Sequence, residues 1–141
     1  MIRKSKRTPT PLRPNRGRKK PKLRERDLAY MKWIKTLPCV CCAGLTQLTA
    51  RIRLRAISWP PALHQWWNAN GERTEAAHVG DRGLAQKSSD RETIPLCSSH
   101  HREGHESAHV MGKRFWDHHR LNKEGLIRML NAAYDRWKAA Q

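Results

Sequence analysis

The sequence predicts a small α+β domain carried behind a basic N-terminal arm. Three observations point to it. Apolar residues recur at helical spacing just after residue 24 and again at the C-terminus, two short extended runs lie between them, and two Cys/His pairs bracket the middle of the chain. With 141 residues there is room for one domain, assigned to residues 24–141.

Residues 1–26 hold twelve Lys/Arg against the single acid Glu25, and the rest of the chain holds seventeen against eleven, within a formal net charge of +17. In residues 1–23, Arg3, Lys4, Lys6, Arg7, Arg13, Arg16, Arg18, Lys19 and Lys20 alternate with prolines. Such a segment buries no apolar surface and repels itself, so a disordered arm is expected. Its natural partner is a polyanion, because each neutralised phosphate releases counterions. DNA is the expected polymer and RNA the alternative, since the domain behind the arm is itself basic.

From Arg24 onward the pattern turns helical, with Leu28, Met31, Ile34, Trp33 and Leu37 in phase and Pro38 as the stop. The chain then enters Cys39-Val40-Cys41-Cys42 and a glycine-containing turn at Gly44. Residues 45–70 read as an insertion. Arg51, Arg53 and Arg55 alternate with Ile52, Leu54 and Ala56 as a two-sided strand would, ahead of Trp59-Pro60-Pro61 and Trp66-Trp67. The tryptophans either pack on the domain from a hairpin or loop, or form an arm that stacks on bases. Thr74–Val79 and Thr93–Cys97 are two short strands, and the connection Gly80–Glu92 is long for a hairpin. Ser98 is the expected N-cap of a helix carrying His100, His101 and His105, with Gly104 in its last turn. Ser107 caps a helix through Met111, Phe115 and Trp116, and Asn122 caps an amphipathic helix with Leu126, Ile127, Leu130, Ala133, Tyr134 and Trp137 on one face.

The N-terminus has the charge of a secretory leader but no apolar segment behind it, so a cytoplasmic protein is expected. No run approaches the roughly 18 apolar residues of a membrane span, and no membrane partner or small-molecule cofactor is expected. Four cysteines in that setting read as metal ligands rather than disulfides. Cys39-x2-Cys42 and Cys97-x2-His100, 54 residues apart, offer four S and N donors to a tetrahedral Zn²⁺. Four protein ligands leave no position for water, so this zinc is structural. Cys41 can replace either neighbour, but a CxC chelate is more strained.

A second group consists of His78, His101 and a further histidine. His101 projects about 100° away from His100 on a helix. His105 shares its face at i+4, and His109 returns from the next element. His78 ends the strand expected to pair with Thr93–Cys97. Neutral imidazoles bind divalent transition metals, and one near its ordinary pKa accepts a proton from water at neutral pH. His118 and His119 read as ordinary surface or core residues.

Glu75-Ala76-Ala77-His78-Val79 on the first strand, with Pro95-Leu96-Cys97-Ser98-Ser99-His100-His101 entering the helix, resembles the HNH endonucleases. The likeness is to the small zinc-bearing type common in phages and prophages. It spans about residues 27–122 and is most specific over 74–109. It implies a ββα-metal, treble-clef-like core with flanking helices, and hydrolysis of DNA phosphodiesters. By analogy His78 is the general base, and a divalent ion such as Mg²⁺ or Mn²⁺ is held partly by His101, with His105 or His109 as its next ligand. The chain departs from the family pattern at Ala77, where a ligand usually stands, and lacks the usual loop asparagine near Asp90, Arg91 and Glu92. Either His78 is itself a ligand, or the ion keeps more water. Glu75 lies on the strand face opposite His78 and does not easily substitute.

The resulting expectation is a DNA endonuclease in which the arm, with Arg82, Lys87, Arg91, Arg102, Lys113 and Arg114, holds phosphates without reading sequence. The reading from another class is a zinc-containing accessory protein that binds DNA or RNA without cutting it. A small-molecule zinc hydrolase is disfavoured by the polycation and the missing apolar pocket signature. Removal of residues 1–23 is expected to weaken DNA binding far more than it slows cleavage at saturating DNA. Titration of labelled duplex at several salt concentrations checks this, and equal binding by the shortened chain refutes the arm's role.

Overall fold

The computed structural model describes residues 26–57, 66–81 and 88–141. The arm, the Trp59-Pro60-Pro61 run, Arg82 and Lys87 lie outside the described residues. The described chain is a mixed α+β arrangement: helices α1 (Leu28–Ile34) and α2 (Val40–Ile57), strands β1 (Thr74–His78) and β2 (Thr93–Cys97), then α3 (Ala108–Met111), α4 (Arg114–His118) and α5 (Lys123–Ala139). No helix among the described residues is long and apolar enough to cross a membrane.

Helix α1 starts where Asp27 Oδ1 accepts the amide of Tyr30 at 2.9 Å. Its inward stripe is Tyr30, Trp33 and Ile34, continued by Leu37 beyond the helix end, all fully buried. Leu28 belongs to the other face and is 58% exposed, contrary to the periodicity assigned to it. Helix α2 breaks at Gly44, whose φ of 72° and ψ of 168° suit a residue without a side chain. The break turns the Cys39–Cys42 segment relative to the longer helical stretch behind it.

The strand expected over Arg51–Ala56 is instead the C-terminal part of α2. Leu48 is fully buried and Ile52, four residues on, packs against the core, so helical phase wins over a six-residue alternation. Of the tryptophans that follow, Trp66 is partly buried and Trp67 is 58% exposed.

Strands β1 and β2 form a two-stranded antiparallel sheet in which Thr74 pairs with Cys97 and His78 with Thr93. All five β2 residues are buried, because helices cover this strand on either side. A short 3-10 helix, Asp90–Glu92, leads into β2 behind a capping box. Ser89 Oγ accepts the Arg91 amide at 3.2 Å, and Glu92 Oε2 accepts the Ser89 amide at 3.0 Å. Gly80 passes so close to Glu92 and Ser88 that a Cβ there would collide with both.

After β2 the chain makes one π-helical turn, Ser99–Glu103, and then runs extended at Gly104. Ser98 is not its cap: the residue is already helical and its hydroxyl donates to Glu72 Oε1 at 3.0 Å. The helix expected from Ser107 through Trp116 is two pieces, α3 and α4, parted at Gly112 with φ 56°. The Ser107 and Asn122 caps both form. Helix α5 buries Leu126, Leu130, Ala133 and Tyr134. Tyr134 meets Tyr30 and Trp33 edge-on, with ring centroids 5.2 and 5.5 Å apart.

Arg91, assigned above to phosphates, is used inside the fold. Its guanidinium donates to Asp27 at 2.8 Å, Asp135 at 2.9 Å and Asn131 at 3.2 Å, and lies over the Tyr30 and Tyr134 rings. It ties α1, the 3-10 helix and α5 together through bonds that a lysine head group cannot fork to reproduce. Arg91→Ala is expected to cost about 1.5–3 kcal/mol, the range for charged hydrogen bonds, with little recovery in Arg91→Lys. Urea denaturation of the zinc-saturated protein measures both.

Candidate metal centre and adjoining histidines

Four donors come together where α2 begins and β2 ends. Cys39 and Cys42 flank the first turn of α2, Cys97 closes β2, and His100 lies in the π-helical turn. His100 Nδ1 lies 3.7 Å from Cys39 Sγ, 3.4 Å from Cys42 Sγ and 3.2 Å from Cys97 Sγ, and the Cys42 and Cys97 sulfurs are 3.7 Å apart. The edges of a tetrahedron around Zn²⁺ follow from its bond lengths as about 3.8 Å for S···S and 3.6 Å for S···N. These residues therefore can hold a metal ion such as zinc, and their S₃N chemistry suits it.

The centre is braced from outside. Glu72 accepts the Ser99 amide at 3.2 Å and the hydroxyls of both Ser98 and Ser99, which fixes the turn that carries His100. Asn68 links the same carboxylate, at 2.9 Å, to the Cys42 sulfur at 3.8 Å. The hydrogen bonds from Ser99 and then Asn68 hold Glu72 down to about 2, so the brace stays ionised through mild acid.

Contact with the Cys41 thiol, together with burial, pushes Cys39 up to about 12. Burial and the Cys97 charge raise Cys42, and contact with Cys39 and burial raise Cys97. Crowded thiols of this kind become thiolates when a dication supplies the opposing charge. His100 is held below its ordinary value by burial and by His119, which favours the neutral, ligating ring.

Cys41 stands outside the four-donor set but within reach of His100 and His119. His119 is satisfied as a surface residue while lying next to the centre. Its Nε2 donates to the Glu106 carbonyl at 2.9 Å, and its ring packs on His100 at 5.3 Å between centroids.

His78 and His101 line two different clefts. His78 lines one of about 730 Å³ together with His109, Asp81, Lys113 and Asp117. Its Nε2 lies 3.1 Å from Oδ1 of the fully buried Asp90, whose Oδ2 accepts the Asp27 amide at 3.0 Å. A carboxylate only accepts, so the proton of a neutral His78 ring sits on Nε2 and the lone pair on Nδ1. His101 lines the other cleft with Glu75, Arg73, Lys35 and Arg102. Its Nδ1 lies 2.6 Å from Glu75 Oε2. Burial lowers His101 against the opposing pull of the Glu75 hydrogen bond and charge, which favours the neutral ring. Burial opposes the shift at Glu75, but the His101 and Arg102 hydrogen bonds hold that carboxyl down.

Of the clefts described, His78 and His101 line different ones. His109 stands between them: it lines the cleft of His78, and its ring meets His101 edge-on at 4.8 Å. His105 is not on the helical face of His101, because the turn ends at Glu103, and it lies beside His100 and Glu106 instead. Among the described residues, no second group of three donors gathers around His78 or His101. The sequence signal for Asp90 is an acid that faces the end of β1 across the hairpin. Glu72 gives no signal, since its partners in the turn that carries His100 lie 26 and 27 residues away.

The chain matches no protein-family model, no curated protein and no solved structure.

A strong chelator is expected to remove one equivalent of zinc per chain and to unfold the junction of α2, β2 and the π-helical turn. Cys97→Ala loses the ion and Cys41→Ser keeps it; metal analysis and far-UV circular dichroism check both. Because His100 titrates lower when folded, its contribution is complete above its ordinary 6.5 and is lost as pH falls through the folded value. Thermal midpoints measured from pH 8 downward should therefore fall together with zinc retention once pH passes below about 6.5.

Proposed function

We propose that the chain is a metal-assisted DNA endonuclease of the HNH, ββα-metal kind, stapled by a structural zinc. The observation that carries this reading is the pair of carboxylate-held histidines beside the thiolate cluster. Asp90 lies against Nε2 of His78 and Glu75 against Nδ1 of His101, one carboxylate on one nitrogen of each ring. The hairpin β1–β2 followed by the His100-His101 turn supports the same arrangement.

In this reading His78 takes the proton of the attacking water on Nδ1, and Asp90 steadies the imidazolium that results. His101 and His109 would hold the divalent ion, which would supply charge stabilisation at the scissile phosphate. Nitrogen donors would favour Mn²⁺ or a later metal over Mg²⁺. Lys113 at the larger cleft, Arg102 at the smaller and Arg114 on the exposed surface of α4 contribute phosphate contacts.

The sparse second donor set favours one rival, a zinc-containing accessory protein that binds DNA or RNA without cutting it. Plasmid nicking with Mn²⁺, Mg²⁺ or EDTA decides between them. His78→Ala should lower the rate roughly 100- to 10,000-fold with DNA binding retained. Asp90→Asn should lower it roughly 10- to 100-fold. Nicking that is equal in wild type and His78→Ala would leave the binding protein.

A further inference from the structure

We propose that Trp67 is a stacking platform for an unpaired base, so that the polynucleotide bound beside His101 is held in single-stranded form at this edge. The proposal rests on the polynucleotide reading above and adds the substrate's form.

Trp67 is 58% exposed, yet its backbone is held firmly. It forms an isolated bridge with Arg73, while the neighbouring Trp66 amide donates to Lys35 at 2.8 Å and its carbonyl accepts the Thr74 amide at 2.9 Å. The turn between them is closed by Asn68 Oδ1, which accepts the amides of Asn70 and Glu72 at 3.0 and 2.9 Å. Glu72 in turn is fastened to Ser98 and Ser99 beside the metal centre. An aromatic ring presented to water on a braced turn has already lost the backbone freedom that stacking would otherwise have to freeze.

The surroundings select the ligand. Trp67 and Trp66 line a mostly apolar cleft of about 200 Å³ together with Pro38, Ala43, Gln47 and the metal-site cysteines Cys39 and Cys42. The Arg73 guanidinium lies 5.9 Å from the Trp67 ring centroid and also lines the cleft that contains Lys35, Arg102 and His101. One cation thus joins the aromatic face to the His101 cleft. A strand whose base rests on Trp67 would carry its phosphates past Arg73 and Lys35 toward His101. Stacking needs no particular base, because every base has a π-face, so the platform favours strand state over sequence.

The test uses the full zinc-loaded chain without added Mg²⁺ or Mn²⁺ and reads anisotropy of two labelled oligomers, an oligo-dT and an abasic strand of equal length and charge. Wild type should prefer oligo-dT by roughly five-fold or more. Trp67→Ala should lose that preference while its affinity for the abasic strand is unchanged. Trp67→Phe should restore most of it and Trp67→Leu should not. Equal binding of both strands by wild type overturns the proposal, as does a Trp67→Leu chain that behaves like wild type, which would mark a protein-docking surface. Loss of affinity for both strands in Trp67→Ala, or of zinc from that variant, overturns it in favour of a structural role. If wild type nicks plasmid but shows no preference for bases, only this proposal fails; if it binds neither strand, the polynucleotide reading fails too.

Discussion

The donor set formed by Cys39, Cys42, Cys97 and His100 is the constraint on which the other parts depend. A two-stranded sheet has little rigidity of its own, and here only the β2 strand is buried throughout. The four donors join the start of α2 to the end of β2 and to the turn beyond it, closing a loop of more than fifty residues between the two Cys/His pairs. Each neighbouring histidine inherits its position from that closure. His101 follows His100 directly, and α3, which carries His109, packs on the same turn.

A shared device sets the chemistry of the two clefts. In both, an acid from the hairpin region grips one nitrogen of an imidazole and so decides which nitrogen keeps its lone pair. The acids differ in surroundings. Asp90 is fully buried and has the Asp27 amide as a second partner, whereas Glu75 is partly exposed and shared with Arg102. His78 is therefore held by a site sealed within the protein, and His101 by one at its surface.

How much of this could be read from the residues follows from the range of the interactions. Cys-x2-Cys, Cys-x2-His and the caps at Ser107 and Asn122 are local patterns with few alternative geometries, and they form as written. The Arg51–Ala56 alternation misled because six residues cannot show whether Leu48 and Ile52 share a buried face. The position of His105 turned on one backbone choice, the end of the π-helical turn at Glu103. Glu72 and Arg91 reach Ser98 and Asp27, 26 and 64 residues distant, a separation at which spacing carries no information, whereas Asp90 lies only 12 residues from His78 across the hairpin.

Asp27 has one further consequence, for where the domain begins. Its carboxylate caps α1 and pairs with Arg91, while its amide is a donor to the buried acid that grips His78. The start of α1 is thus wired into the interior rather than hung upon it. A boundary drawn even one residue too late would unseat a helix cap, release a guanidinium and leave a sealed carboxylate short of a partner, so the working unit starts upstream of any cut that secondary structure alone would suggest.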